Sequence, residues 1–187
     1  MAGIQVSKGN NYFEMNIFYL NKDPKIAAME HNDKHCVKMI LEYAQMLSTA
    51  HRELDGDEIA DELSMYKRAH LNHPSTVWTR SNKPHYQWLY DLFVALAEEY
   101  THRYSKTHST DAKLREVLQS PPNNIPDNKV FTQPPQCMPD QYQCEDSIIA
   151  YQKFYIGEKA HFSEWKKREV PVWFISNINS SEQERRR

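Results

Sequence analysis

The sequence predicts a mainly α fold, a single compact helical domain with a short N-terminal extended segment and a long Pro-rich loop. Three observations carry this. Apolar residues recur at three- and four-residue spacing through 24–52 and again from Pro84 to Tyr100. Gly is scarce, four in 187 residues, too few for a glycine-rich phosphate loop or the tight turns of a βαβ nucleotide fold. Strand-like residues are confined to one short run. A chain of this length fits one domain. We therefore expect a domain over 15–174, a polar N-terminal extension over 1–14 and a disordered tail over 175–187.

The elements follow in order. MNIFYL (15–20) reads as a short extended segment. Asp23 and Pro24 are an N-cap and a first-turn proline. The helix they open runs to about Arg52, with a break at Asn32-Asp33. Val37, Ile40, Leu41, Ala44, Leu47 and His51 form its expected core face, with His51 making one buried hydrogen bond. A short helix is expected over 59–70 and another after Pro74, capped by Ser75 or Thr76 and carrying Trp78 and Arg80. Asn82 and Pro84 open a long amphipathic helix that buries Trp88, Leu89, Leu92, Phe93, Leu96 and Tyr100. Thr110 starts a shorter helix through Leu118. Residues 121–145 hold six of the ten prolines and are expected to form an extended, ordered loop. Asp146 caps a last long helix that buries Ile149, Tyr151, Phe154, Tyr155, Phe162 and Trp165. Trp173 and Phe174 of VPVWF dock onto the body.

The 23 Lys and Arg against 25 Asp and Glu give a net charge of −2. This excludes a binder that holds nucleic acid by bulk charge but leaves room for a local basic patch. No apolar run reaches membrane-span length, and the first residues lack a signal-peptide core. Cys36, Cys137 and Cys144 make no even framework and no CxxC, and read as reduced thiols in a cytoplasmic setting.

Nine His are the unusual component. His31, His35, Lys38 and Glu42 follow one side of the first long helix, away from its apolar stripe. An imidazole and a carboxylate so placed suit general acid/base chemistry, and a solvated polar face is the competing explanation. His31 and His35 also have two-ligand metal spacing. No third ligand completes it, so no metal or cofactor is expected. His70, Asn72 and His73 sit in a Pro-containing turn of the kind that carries binding residues. Arg103, Lys106 and His108 cluster at a helix end, and Lys166, Lys167 and Arg168 form a second basic run. Both can reach phosphates or serve the helix dipole. Trp78, Tyr86, Trp88 and Tyr104 are stacking candidates.

Most of the chain between Met15 and Phe174 resembles a family of small tailed-phage proteins. The segments are MNIFYLNKDP, AAMEHNDKHCVKMILEYAQMLSTA, HLNHPSTVWTR, WLYDLFVALAEEYTHRYSKTH, QCMPDQY, AYQKFYIGEKAHFSEWKK and VPVWF. A second resemblance names an activity. The Asp33-Lys34-His35 triplet, Glu42 seven residues past the His, and Pro171-Val172-Trp173-Phe174 are similar to the skeleton of the small all-α pyrimidine-dimer DNA glycosylases of the endonuclease V type. That resemblance implies a DNA-acting repair N-glycosylase on damaged or modified pyrimidines, with a possible lyase step, working on duplex DNA in the host cytoplasm. Glu42 would be the catalytic carboxylate and His35 would orient the substrate. His31, Lys34, Lys38, Asn72, His73, Arg80, Arg103, Lys106 and His108 are the candidate DNA contacts, and His31, His35, Glu42, His73 and Arg103 are expected around one concave surface.

The chain departs from that family at the nucleophile. No Thr follows either candidate start, Met1 or Met15, where Ala2 and Asn16 stand instead. Leu41 and Gln45 stand where the family has Arg. An enzyme on free nucleotides or hypermodified bases, and a non-enzymatic phage protein that binds a host protein, are the alternatives.

Overall fold

The computed structural model describes residues 15–177; the expected extension over 1–14 and residues 178–187 of the expected tail over 175–187 lie outside them, while 175–177 belong to a helical turn over 172–177 rather than to a disordered tail. Among the described residues there is no strand, and the mainly α expectation holds. Met15–Leu20 is extended and wholly buried, but pairs with no second strand. It threads through the helical core.

Helix α1 spans Pro24–Glu30, opened by Pro24 and capped by Asp23, whose Oδ1 accepts from Lys25 N at 2.9 Å. The expected break follows. Asn32 caps α2 (Asp33–Asp55), its Oδ1 accepting from His35 N at 2.9 Å. Gly56, at φ 87, ends α2 and turns directly into α3 (Asp57–Glu62), so the helix expected over 59–70 begins and stops earlier. Helix α4 (Pro74–Ser81) is capped by His73 rather than by Ser75 or Thr76: its Nδ1 accepts from Ser75 N at 3.1 Å. Helix α5 (Lys83–Tyr104) ends at Ser105, in the left-handed region. Helix α6 (Ser109–Leu114) is shorter than expected, and α7 (Ser147–Phe154) starts at the expected Asp146 cap.

The long helices α2 and α5 pack against each other, α4 lies against both, and α1 lies against α5. Ile40, Leu47, Leu89, Leu92, Phe93 and Leu96 fill the core between them. The apolar stripe assigned to α2 needs correction. Val37 and Leu41 are 42% and 38% exposed, while His35, Cys36, Met39 and Tyr43 are buried. The N-terminal segment and the C-terminal third cover the α2 face that looked polar in sequence.

The Pro-rich loop is ordered through side-chain hydrogen bonds. Asp55 accepts from Asn123 N and Asn124 N at 2.7 and 2.9 Å, Trp78 Nε1 donates to Thr132 O at 3.2 Å, and Tyr151 donates to Pro135 O at 2.6 Å.

The last long helix does not form as expected. After Phe154 the chain widens into a π turn (Tyr155–Lys159) and then tightens into a 3₁₀ turn (Ala160–Phe162). Ile149, expected in the core, is exposed. Trp173 and Phe174 do dock: Trp173 Nε1 donates to Glu30 Oε2 at 2.6 Å, and Phe174 packs edge-on to Trp165.

Gly157, inside the π turn, has the Tyr142 ring where a Cβ would lie. Tyr142 is tethered there by donating to Glu158 at 2.9 Å. Gly157→Ala therefore evicts that ring, an overpacking cost of about 1–3 kcal/mol. In thermal unfolding this lowers Tm by roughly 2–4 °C per kcal/mol, and an unchanged Tm contradicts it.

Candidate active site

The break between α1 and α2 organises the site. His31, at the break, is fully buried. Its Nδ1 lies 2.6 Å from Ala27 O, so that nitrogen carries the proton, and Nε2, 2.8 Å from the Tyr43 hydroxyl, accepts. The Tyr43 oxygen in turn accepts from Phe18 N at 3.2 Å. One chain of hydrogen bonds thus pins the N-terminal segment to α1 and α2. Burial holds His31 at a pKa of about 4, so it is neutral.

His35 is built the same way. The Tyr155 hydroxyl accepts from Asn32 N at 3.4 Å and stands 2.5 Å from His35 Nδ1, the one acceptor in reach of its proton among the described residues, so it donates to that nitrogen. Nε2–H is the donor left on the ring. Phe18 stacks on the imidazole at 4.0 Å. Burial first, then the positive charges of Lys159 and Lys38 among others, push the His35 pKa well below its usual value. His35 is a neutral, oriented hydrogen-bond donor rather than a proton shuttle.

Beside it lies a cleft of about 240 Å³ lined by Phe18, Lys34, His35, Lys38, Met39, Lys159 and Phe162. Lys34, Lys38 and Glu42 follow one another along α2 at one-turn spacing, and Glu42 Oε1 is 3.8 Å from Lys38 Nζ. Only 13% of the Glu42 side chain is exposed, and its Oε2 is shut off from solvent. The carboxylate stands one turn beyond the cleft.

The other expected contacts are not gathered here. Arg103 is fully buried and donates to Glu99, Asp33, His31 O and Met29 O at 2.8–3.0 Å. Its guanidinium holds the α1–α2 break against α5 and cannot meet DNA. His31, enclosed in its own network, cannot either. His73 caps α4, and Arg80 braces the preceding turn by donating to Leu71 O at 2.9 Å. His108 caps α6 and hydrogen-bonds the backbone of Val37 on α2. Asn72 and Lys106 are exposed, and neither lines the cleft. The single concave surface expected for His31, His35, Glu42, His73 and Arg103 does not form, because two of its members serve the core. Of the stacking candidates, Trp78 and Tyr86 are buried.

Lys159 and Phe162 were missed by sequence reasoning. A continuous last helix would have aimed them elsewhere, and only the π turn brings them opposite α2. A larger cleft, about 930 Å³, lies around Tyr19, Trp88 and Phe131. Its lysines, Lys22 and Lys153, are offset by Glu145 and Asp146, and Glu42 and His35 are not part of it.

A protein-family model described as pyrimidine dimer DNA glycosylase matches residues 15–112, a little over half of the chain. The chain belongs to the pyrimidine dimer DNA glycosylase family. No curated protein and no solved structure matches it. Membership in this glycosylase family implies a DNA substrate. Among the described residues no helix is long and apolar enough to cross a membrane. The match takes in the N-terminal segment, α1 to α5, and both His35 and Glu42. The wall of the α2 cleft that carries Lys159 and Phe162 lies outside it.

The buried imidazoles have a consequence for stability. His31, His35, His51 and His85 all have pKa values lowered chiefly by burial. The unfolded chain therefore binds more protons than the native state as pH falls through 6.5, and stability falls with it. For His31 alone the window runs from 6.5 to about 4, worth about 3 kcal/mol. Urea unfolding at pH 7.5, 5.5 and 4.5 should give steadily lower midpoints, and a flat profile across that range contradicts neutral buried histidines.

Proposed function

We propose that the protein is an N-glycosylase that removes damaged or modified pyrimidines from duplex DNA, with Glu42 as the catalytic carboxylate. The observation that supports this best is the coincidence of two things on α2: the family match spans it, and Glu42 stands next to a cleft lined by His35 and three lysines, two of them on α2. In the reaction the C1′–N1 bond breaks and the base departs with the bonding pair, leaving positive charge on the sugar. A carboxylate held out of solvent stabilises that charge more than one in water. With water as nucleophile, its oxygen bonds to C1′, Glu42 receives its proton, and a proton passes to the departing base. The product is an abasic site.

An amine nucleophile would instead form an imine at C1′ and set up strand cleavage. Neither Leu41 nor Gln45 supplies the guanidinium found at those positions in the family, and the chain before Met15 lies outside the described residues. Trapping with borohydride separates the routes: a covalent protein–DNA adduct identifies the amine, and alkali-labile sites without an adduct identify water.

Lys34 and Lys38 remain in the proposed DNA contact, His35 orients the substrate, and Asn72 and Lys106 are outer candidates. His73, Arg80 and His108 contribute by shaping the surface, and His31 and Arg103 leave the contact list. By the tailed-phage resemblance, the proposed setting is the cytoplasm of an infected host cell. UV-irradiated supercoiled plasmid tests the proposal. Nicks or alkali-labile sites that rise with dose and vanish on unirradiated plasmid support it, and intact plasmid at high protein excess overturns it.

A further inference from the structure

The larger cleft takes no part in the proposed chemistry. At about 930 Å³ it falls within the roughly 300–1,000 Å³ of pockets that enclose small molecules. Four stretches of chain meet around it. Tyr19 and Lys22 come from the N-terminal segment and the turn after it, Trp88 from α5, Phe131 from the Pro-rich loop, and Ile149 and Lys153 from α7. Phe18 and Tyr19 are neighbours in an extended chain, so their side chains leave it on opposite sides. Phe18 lines the α2 cleft and Tyr19 lines this one. The two clefts are therefore separate, divided by the buried segment.

Three rings form one aromatic wall. The Tyr19 and Trp88 centroids are 5.0 Å apart, and Phe131 lies 6.2 Å from the first and 6.1 Å from the second. Each ring is held in place. Trp88 Nε1 donates to Lys22 O at 2.9 Å, and Tyr19 is 4% exposed. On either side of Phe131, Asn82 Nδ2 donates to Val130 O at 2.5 Å and Thr132 N donates to His85 Nε2 at 3.1 Å. Phe131 is nonetheless 37% exposed, and Ile149 of α7 is exposed as well. A fixed aromatic wall left open to water is a surface on which a planar ligand stacks.

The polar groups of the cleft narrow the ligand. Tyr43, Tyr86, Tyr151 and Tyr155, which are wholly buried, all bond protein partners through their hydroxyls. Tyr19 does not: among the described residues its hydroxyl makes no hydrogen bond, and it is not shut off from solvent. Burial and then the charge of Asp146 raise its pKa, so the hydroxyl keeps a proton to donate. Two ammoniums, Lys22 and Lys153, and two carboxylates, Glu145 and Asp146, line the same cleft, yet among the described residues none of the four makes an ion pair. This lining suits a ligand with a planar face, an edge that both donates and accepts, and an anionic group. A nucleotide combines the three in its base and its phosphate. The charge balance favours a free nucleotide over a strand, because the carboxylates cancel the ammoniums and leave no positive track for successive phosphates.

We propose that this cleft binds a free mononucleotide, its base stacked on Trp88 and Phe131, the Tyr19 hydroxyl donating to it, and its phosphate drawn to Lys22 and Lys153. The site is distinct from the α2 cleft and does not depend on the glycosylase reading. Calorimetric titration of the whole protein with each deoxynucleoside monophosphate in turn tests it. At least one should bind saturably, one molecule per chain. Tyr19→Phe removes only a hydroxyl without a protein partner, so it should weaken that binding about three- to tenfold and leave Tm unmoved. Phe131→Ala should weaken it at least about fivefold. Lys153→Met should weaken the monophosphate and leave the weaker binding of the matching nucleoside unaltered. No saturable binding by any of the monophosphates, or a Tyr19→Phe curve that overlays the parental one, overturns the proposal. Inorganic phosphate or tryptophan binding as tightly as the nucleotide also overturns it, the first by making the site an anion site alone and the second by making it an amino-acid site. Added duplex DNA should not displace the nucleotide; displacement overturns the assignment to a free ligand and places this cleft on the DNA surface.

Discussion

Glu42→Gln should abolish base release while leaving the fold and DNA binding intact. The amide has the shape of the carboxylate and keeps its place one turn from Lys38, but it carries no charge to stabilise the sugar cation and takes no proton from a nucleophile. Loss of a positioned acid–base group costs about 10²–10⁴ in rate, and loss of charge stabilisation in a shielded site costs a comparable factor. Single-turnover kinetics on irradiated duplex should show the rate falling by at least about 10² with an unchanged binding curve. Tm should fall little, since the ion pair between Glu42 and Lys38 is a long i,i+4 contact at 3.8 Å to a half-exposed lysine, the kind worth about 0.3–0.5 kcal/mol. A variant that binds and cleaves at the parental rate removes Glu42 from the chemistry.

Arg103→Met should be the most destabilising single substitution in the domain, at about 3–5 kcal/mol. Arg103 satisfies two carboxylates and two carbonyls, three of them at the α1–α2 break (Met29, His31, Asp33) and one, Glu99, on its own helix, and is wholly buried. Burial would raise the Glu99 pKa, but hydrogen bonds from Arg168 and Arg103 outweigh it and hold the carboxyl below its usual value. Truncating Arg103 leaves Glu99, 4% exposed, with Arg168 as its remaining guanidinium, and orphans Met29 O and His31 O. Adding Glu99→Gln to Arg103→Met should recover part of the loss, since a neutral amide is easier to bury than a half-paired carboxylate. Urea midpoints for the two single variants and the double variant measure this coupling. A loss below about 1 kcal/mol in the single variant is what an exposed pair would give and contradicts the hub.

Much of this was legible in the sequence because its determinants are local. The Asp23-Pro24 start, the Asn32 break, the α5 periodicity and the Asp146 cap each depend on residues within one turn, and each appears where its chemistry places it. The Lys34, Lys38 and Glu42 series was legible for the same reason. What was hidden depends on partners far along the chain. His31 and Arg103 look like surface ligands until Tyr43, Asp33 and Glu99 close around them. Val37 and Leu41 look like core until the N-terminal segment and the C-terminal third cover the opposite face of α2. Lys159 and Phe162 become a cleft wall only because the last helix opens into a π turn, and its periodicity alone does not announce that.

The central claim, that the α2 cleft and Glu42 serve base excision on pyrimidine lesions, is tested most directly on a duplex with one site-specific pyrimidine dimer in a labelled strand. Incubated with excess protein and then treated with alkali, that strand should break at the dimer, and the undamaged control should stay whole. A dimer strand that stays full length, with protein shown to be folded and bound to it, contradicts the account.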